Sequence, residues 1–297
     1  MALRKLRRPE NVSGDFFVDS SCIDCDQCRQ IAPETFGRTG EQSAVHIQPS
    51  TSHGTLLALK ALVTCPTASI GTTLRHDVQE AVAAFPELIS EDVYFCGFAS
   101  ESSYGASSYL IVRPEGNVLV DSPRFTRPLV KKIEAMDGIR FLFLTHRDDV
   151  ADHDQWAGHF RSTRIMHQND AGRLRSRIEL LINGSEDVPL ENDLLIIPTP
   201  GHTQGHMVLL YRGKFLFSGD HLWWSNHYRS LYASRSVCWY SWPDQVASVK
   251  RLLNYRFEWV LPGHGLRAHA PADQMQQYLT ACIRRIEPQS VGLQNSL

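Results

Sequence analysis

At 297 residues and about 150 residues per domain, the chain is long enough for two domains, or for one with a sizeable attachment. Its 42% hydrophobic and 21% charged content is that of an ordinary globular protein, and no apolar run approaches the roughly 18 residues of a membrane helix, which excludes a membrane-spanning role. Thirty basic against 32 acidic side chains leave a formal net charge of -2, so there is no global electrostatic footprint for nucleic acid or an anionic membrane.

The first residues, Met1 to Arg8, carry Arg4, Lys5, Arg7 and Arg8 with no apolar stretch behind them. The expectation is a cytoplasmic chain with a frayed basic end and no cleavable leader. Seven cysteines is an odd number for a secreted disulfide framework. Three of them, Cys22-Ile-Asp-Cys25-Asp-Gln-Cys28, recur at intervals of three, which lets one loop wrap three iron corners of a cubane while Cys65-Pro66 supplies a distant fourth ligand.

With Phe16-Phe17-Val18-Asp19 ahead, Ala32-Pro33-Glu34-Thr35-Phe36 behind, and Cys65-Pro66-Thr67-Ala68-Ser69-Ile70 at the end, this stretch resembles a single-cluster bacterial ferredoxin. The resemblance implies an α+β ferredoxin-like domain over 9–80 holding a 4Fe–4S cluster on Cys22, Cys25, Cys28 and Cys65. Ala32 occupies the place where a two-cluster ferredoxin continues to a further cysteine. The alternatives are cysteines that are merely buried, or a zinc knuckle, which ordinarily joins its close cysteine pair to a second ligand pair. Cys96, Cys238 and Cys282 stand alone and are expected to be small core residues.

A short helix ending near Pro86 marks a boundary, and a second domain is expected over 88–297. Strand-like runs follow at Val93–Ala99, Ser108–Val112, Asn117–Val120, Arg140–Thr145, Thr163–His167, Asp193–Pro198, Met207–Tyr211, Lys214–Ser218 and Trp259–Leu261. Helical periodicity appears at Arg127–Met136, Asp152–Phe160, Pro243–Leu253 and Pro271–Ile286. Histidines and carboxylates sit repeatedly where a strand stops, and loops at strand ends are where α/β scaffolds place their chemistry.

Those strand ends carry five motifs in order. They are Val120-Asp121, Thr145-His146-Arg147-Asp148-Asp149-Val150-Ala151-Asp152-His153, Pro200-Gly201-His202-Thr203-Gln204-Gly205-His206, Ser218-Gly219-Asp220 and Pro262-Gly263-His264-Gly265. Imidazoles and carboxylates suit zinc, iron or manganese, and an ion with an open position activates water near neutral pH. Over roughly 90–290 the series resembles the metallo-β-lactamase superfamily, in its glyoxalase II-like and persulfide-dioxygenase-like branches. The resemblance implies an αββα sandwich binding one or two divalent metals, Zn or Fe with Mn as a further option. His146 and His202 would hold the first metal, Asp152, His153 and His264 the second, and Asp220 would bridge both. Asp121 would orient the ligands from outside.

One departure stands out. The family pattern H-x-H-x-D-H is here H-R-D-D-V-A-D-H, so Asp148 falls where the second histidine belongs. The buried run Phe141–Leu144 favours a register anchored at Thr145-His146, in which Asp148 replaces the imidazole. The alternative is that Asp148 and Asp149 only solvate a loop. His206 is expected to hydrogen-bond within its loop, and His167 and His221 to be satisfied core or rim histidines. The aromatic stretch from Leu222-Trp223-Trp224 to Trp239-Tyr240-Ser241-Trp242 could wall a substrate pocket, make a homodimer contact, or simply pack.

Three functions stay open. A hydrolase would use the metals, with Asp220 and Asp152 as catalytic carboxylates, on a thioester, ester or lactone. An oxidoreductase would use His146, His202 and Asp220 as the facial set of a non-haem ferrous site, as persulfide dioxygenases do, coupled to the cluster and an electron-transfer partner. A redox-sensing scaffold is the third. The expected substrate is a small molecule, not nucleic acid, because the chain has no room for the large inserted domain of nucleic-acid-processing relatives.

Overall fold

The computed structural model describes residues 2–287; Met1 of the basic end and residues 288–297 of the domain expected over 88–297 lie outside them. The chain forms two compact units, Met1–Asn183 and Gly184–Leu297.

The first unit opens with the cysteine-bearing segment: β1 (Phe16–Val18), α1 (Gln27–Ile31), β2 (Phe36–Thr39), β3 (Gln42–Val45), α2 (Ser52–Thr64) and β4 (Ile70–Thr72). β1 pairs antiparallel with β4, and β2 with β3. Phe16, Val18, Phe36, Val45, Ala58 and Ile70 bury into a small core that includes Cys28 and Cys65. Thr51 caps α2, its hydroxyl accepting from Gly54 N at 3.0 Å, a contact that stabilises a helix by about 1 kcal/mol. The basic end does not fray. Arg8 N donates to Val18 O at 3.1 Å, its guanidinium donates to Ser43 O at 2.8 Å, and Leu3 N donates to Asp19 Oδ2 at 2.8 Å. A buried guanidinium needs such carbonyl partners, and supplying them pins the segment.

The same unit continues through α3 (Gln79–Ala83), β5 (Glu87–Ser90), β6 (Val93–Phe95), β7 (Tyr109–Ile111), β8 (Val118–Val120), α4 (Arg127–Glu134), β9 (Phe141–Phe143), α5 (His153–Phe160), β10 (Thr163–His167), α6 (Gln168–Ala171) and β11 (Leu180–Ile182). These strands form a seven-stranded sheet in the order β11-β10-β9-β8-β7-β6-β5. β5 to β8 run antiparallel as a meander, and β8 to β11 are parallel. α4 and α5 carry the crossovers that parallel neighbours require. The apolar triplets of β7, β8 and β9 are buried throughout, as central strands covered on both faces should be. The loops after β8 and β9 carry Asp121 and the stretch from His146 to His153.

The second unit contains β12 (Val188–Glu191), β13 (Leu194–Pro198), β14 (Met207–Tyr211), β15 (Phe215–Gly219), β16 (Trp223–Ser225), β17 (Ser230–Tyr232), α7 (Trp242–Arg251), β18 (Trp259–Pro262), β19 (Ala268–His269) and α8 (Ala272–Ile286). Its six-stranded sheet has the order β12-β13-β14-β15-β18-β19, with β15 and β18 parallel across α7. Val249 of α7 and Leu279 and Ile283 of α8 bury against Ile197, Val208, Leu216 and Val260 of the sheet. The loops after β13, β15 and β18 carry His202, Asp220 and His264.

Candidate metal centres

Cys22, Cys25, Cys28 and Cys65 line one narrow cavity together with Val18, Ser43 and Ile70. Burial pushes the Cys25 thiol well up and the Cys28 thiol up to about 12, and the neighbouring thiolates push in the same direction. Four crowded thiolates in an apolar cavity are stable only around a cation, which is the environment an iron–sulfur cluster needs. Donors already point at the sulfurs: Ser69 N at 3.3 Å from Cys65 Sγ and Ser43 N at 3.5 Å from Cys22 Sγ. Ser43 Oγ stands 3.3 Å from Cys28 Sγ and accepts from Arg29 Nη1 at 2.5 Å. The serine proton is therefore free to turn toward the Cys28 thiolate.

The loop before β7 closes over this cavity. Gln27 Nε2 donates to Gly105 O and to Ser107 Oγ, each at 2.9 Å. Gly105 has φ +83°, and a Cβ there would fall 2.5 Å from Cys25 Cβ and 2.9 Å from its Sγ. Only glycine combines that dihedral with that approach.

In the loops of the first unit, Asp121 accepts from Thr145 N at 2.8 Å and from Thr145 Oγ1 at 3.0 Å. With the threonine proton so committed, His146 Nδ1, 2.9 Å from Thr145 Oγ1, must be the protonated nitrogen of that pair. That leaves Nε2 with the lone pair a metal would use. Asp148 Oδ2 lies 3.8 Å from Nε2, and a ring nitrogen of His146 is within 4.8 Å of carboxylate oxygens of both Asp148 and Asp149. Asp148 is exposed whereas Asp149 is buried, so Asp149 joins the candidates. Asp152 stands at the start of α5 with Oδ2 accepting from Phe125 N at 2.7 Å. His153 is 3% exposed; its Nδ1 has no hydrogen bond among the described residues, and burial lowers its pKa. A buried imidazole kept neutral is the form that binds metal.

The second unit brings His202, Asp220 and His264 together. His202 Nδ1 donates to Val237 O at 2.6 Å, which turns Nε2 toward Asp220 Oδ2 at 3.7 Å. His264 Nδ1 lies 2.8 Å from Asp220 Oδ1. His206 Nδ1 lies 2.9 Å from Thr199 Oγ1, and its ring lies 5.9 Å from that of His202 and 5.2 Å from that of His221. His221 departs from expectation: it is fully buried, neither ring nitrogen has a hydrogen bond among the described residues, and burial, then His202, lowers its pKa to about 3. Trp239, 60% exposed, holds its ring 6.1 Å from that of His202, and the backbone N–H groups of Trp239 and Tyr240 donate to His202 O at 2.9 and 3.1 Å. The sequence pattern marks neither Asp149 as a ligand nor this backbone clasp. The acidic pair was visible, but which member turns inward depends on the loop.

Residues 18–72 match the family model described as the 4Fe-4S single cluster domain of Ferredoxin I. Residues 104–277 match the metallo-beta-lactamase superfamily. The chain belongs to the metallo-β-lactamase superfamily. As a member of it, the protein binds one or two divalent metals, zinc or iron, in addition to the 4Fe–4S cluster of its front domain. Among solved structures, the DIM-1 metallo-β-lactamase is similar over 68% of this chain and 97% of its own, with TM-score 0.51 and 14% identity. A metallo-β-lactamase from Pontibacter korlensis is similar over 68% of this chain and 98% of its own, with TM-score 0.52 and 16% identity. At such identities the likeness is one of fold.

Proposed function

We propose that this superfamily member is a metal-dependent hydrolase of a small thioester, ester or lactone, with a ferredoxin-like α+β domain over 9–80 and a hydrolytic domain over 88–297. The supporting observation is Asp220, whose carboxylate reaches both His202 and His264, as a carboxylate shared by two metals must. In this reading His146, Asp148 and His202 hold one ion, Asp152, His153 and His264 the other, and Asp220 serves both. Asp149 is the alternative to Asp148.

The bound metals supply a polarised carbonyl and an activated water. The protein's own residues set the geometry. Val237 O and Thr145 Oγ1 fix the tautomers of His202 and His146. Phe125 N holds one oxygen of Asp152, leaving the other for a metal or a proton. Trp239 offers a flat apolar wall beside His202 for the substrate's carbon skeleton. We place the protein in the cytoplasm, with a homodimer contact through the aromatic stretch and an electron-transfer partner at the cluster as further parts of the reading, and without a nucleic-acid partner.

The second reading is a ferrous oxidoreductase of the persulfide-dioxygenase kind. It is favoured by the contact of Gln27, beside two cluster cysteines, with Gly105 and Ser107, because hydrolysis needs no electrons. The test is to assay thioester hydrolysis and oxygen uptake with a persulfide on the same preparation. Hydrolysis without oxygen uptake supports the hydrolase, and oxygen uptake without hydrolysis replaces it by the oxidoreductase.

A further inference from the structure

Helix α2 ends at Thr64, one residue before cluster ligand Cys65, and the carbonyls of a helix's last turn lack partners within the helix. The sheet-forming part of the same unit supplies them. Arg124 Nη2 donates to Val63 O at 3.1 Å, and Ala99 N donates to Thr64 O at 3.2 Å. A guanidinium suits this position because the helix C-terminus carries partial negative charge.

Arg124 lies in a strap, residues 121–125, that leaves β8 and is tied along its length to the candidate ligands. Asp121 holds Thr145 beside His146. Ser122 N donates to Asp149 O at 3.3 Å, and Arg124 N to Phe98 O at 2.8 Å. Pro123 O accepts from Trp156 Nε1 at 2.8 Å, and Phe125 N donates to Asp152 Oδ2 at 2.7 Å. Two adjacent residues of the strap therefore join the sites: Arg124 grips the helix that delivers Cys65, and Phe125 fixes the Asp152 carboxylate.

We propose that Arg124 is a positioning residue that makes metal binding at Asp152 depend on an occupied cluster site. The proposal rests on the reading of Asp152 as a ligand. A cluster bonded to Cys65 fixes the end of α2. Without it the Val63 carbonyl is free to shift, Arg124 follows, and the strap no longer presents the carboxylate in one place.

The test titrates Mn²⁺ into the full chain, reconstituted with or without iron and sulfide, and follows binding by electron paramagnetic resonance. Manganese prefers carboxylate and imidazole over thiolate, so empty cysteines do not compete for it. Removing the cluster from wild type should weaken Mn²⁺ binding about 10–100-fold, the range for losing an outer partner of a metal ligand. Arg124→Ala should retain four irons, lose the same factor with the cluster present, and lose no more when the cluster is removed; Arg124→Lys should keep most of the affinity and the cluster dependence. A merely structural role would make the two losses multiply, and that result, or wild-type affinity in Arg124→Ala, overturns the proposal. Should Arg124→Ala fail to fold, equal Mn²⁺ affinity in wild type with and without cluster overturns it. Asp152→Ala separates the two readings: Mn²⁺ bound there at wild-type affinity removes the ligand assignment itself, and the proposal with it.

Discussion

Asp220 accepts from His264 Nδ1, which lies 2.8 and 2.9 Å from its two oxygens, while Oδ2 also stands 3.7 Å from His202 Nε2. A carboxylate so placed is shared between two imidazoles, which the proposed reading puts on different metals. Asp220→Ala should therefore lose both divalent ions, and His202→Ala the first. His206→Ala, whose ring serves Thr199, should cost at most about 10–100-fold in affinity. Metal analysis of the three variants after dialysis checks this, and wild-type stoichiometry in Asp220→Ala would contradict the shared role.

The acidic pair that follows His146 gives a second prediction. Asp148 is exposed and Asp149 buried, and both approach His146. If the exposed carboxylate is the ligand, Asp148→Ala should lose the first metal and Asp148→His should shift metal content from iron or manganese toward zinc, since imidazole is the softer donor. If Asp149 takes the role, Asp149→Ala loses the metal and Asp148→Ala does not. Elemental analysis of the variants expressed in one medium decides between them.

Much of this was legible in the sequence because it depended on local pattern. Thr163–His167 and Met207–Tyr211 form strands over the residues that their apolar runs mark. The cysteine spacing marked the residues that line the cavity. What the sequence hid is decided by partners far along the chain. β5 and β16 are short and half-buried, and β17, the partner of β16, has only three residues, with no clear period of two. The capping of α2 by Arg124 joins residues 61 positions apart. The buried Arg8, read as part of a frayed end, is held by carbonyls of β2 and β3.

Gly105→Ala should damage the cluster site from outside the cysteine motif. A Cβ at 2.5 Å from Cys25 Cβ cannot be accommodated without displacing that side chain, and φ +83° adds about 1–2 kcal/mol of backbone strain. The variant should purify with less than half the wild-type iron and sulfide. Visible absorbance of anaerobic preparations measures it.

Ser43→Ala should lower the cluster's reduction potential. Its hydroxyl, backed by Arg29, is set to donate to Cys28, and such a bond stabilises the more negative reduced cluster. Loss of about 1 kcal/mol corresponds to a drop on the order of 40 mV for one electron. A redox titration reads the shift, and an unchanged potential would mean that the hydroxyl does not face the sulfur.

Cys282 is fully buried, and burial pushes its thiol from the ordinary 9.0 up to about 12. The folded state thus binds this proton more tightly than the unfolded one. The resulting stability is complete below about pH 9 and is lost as the pH rises from 9 toward 12. Melting temperatures across that window should fall less steeply in Cys282→Ala than in wild type.

The most direct test of the account is the inorganic content of anaerobically purified full-length protein, read together with its electron paramagnetic resonance after reduction. The account predicts about four irons and four sulfides in one cluster that Cys65→Ala abolishes, plus one or two further divalent ions that Asp220→Ala removes while the cluster signal persists. A colourless protein with zinc on its cysteines, or one whose only metal is the cluster iron and which is unaffected by Asp220→Ala, would contradict it.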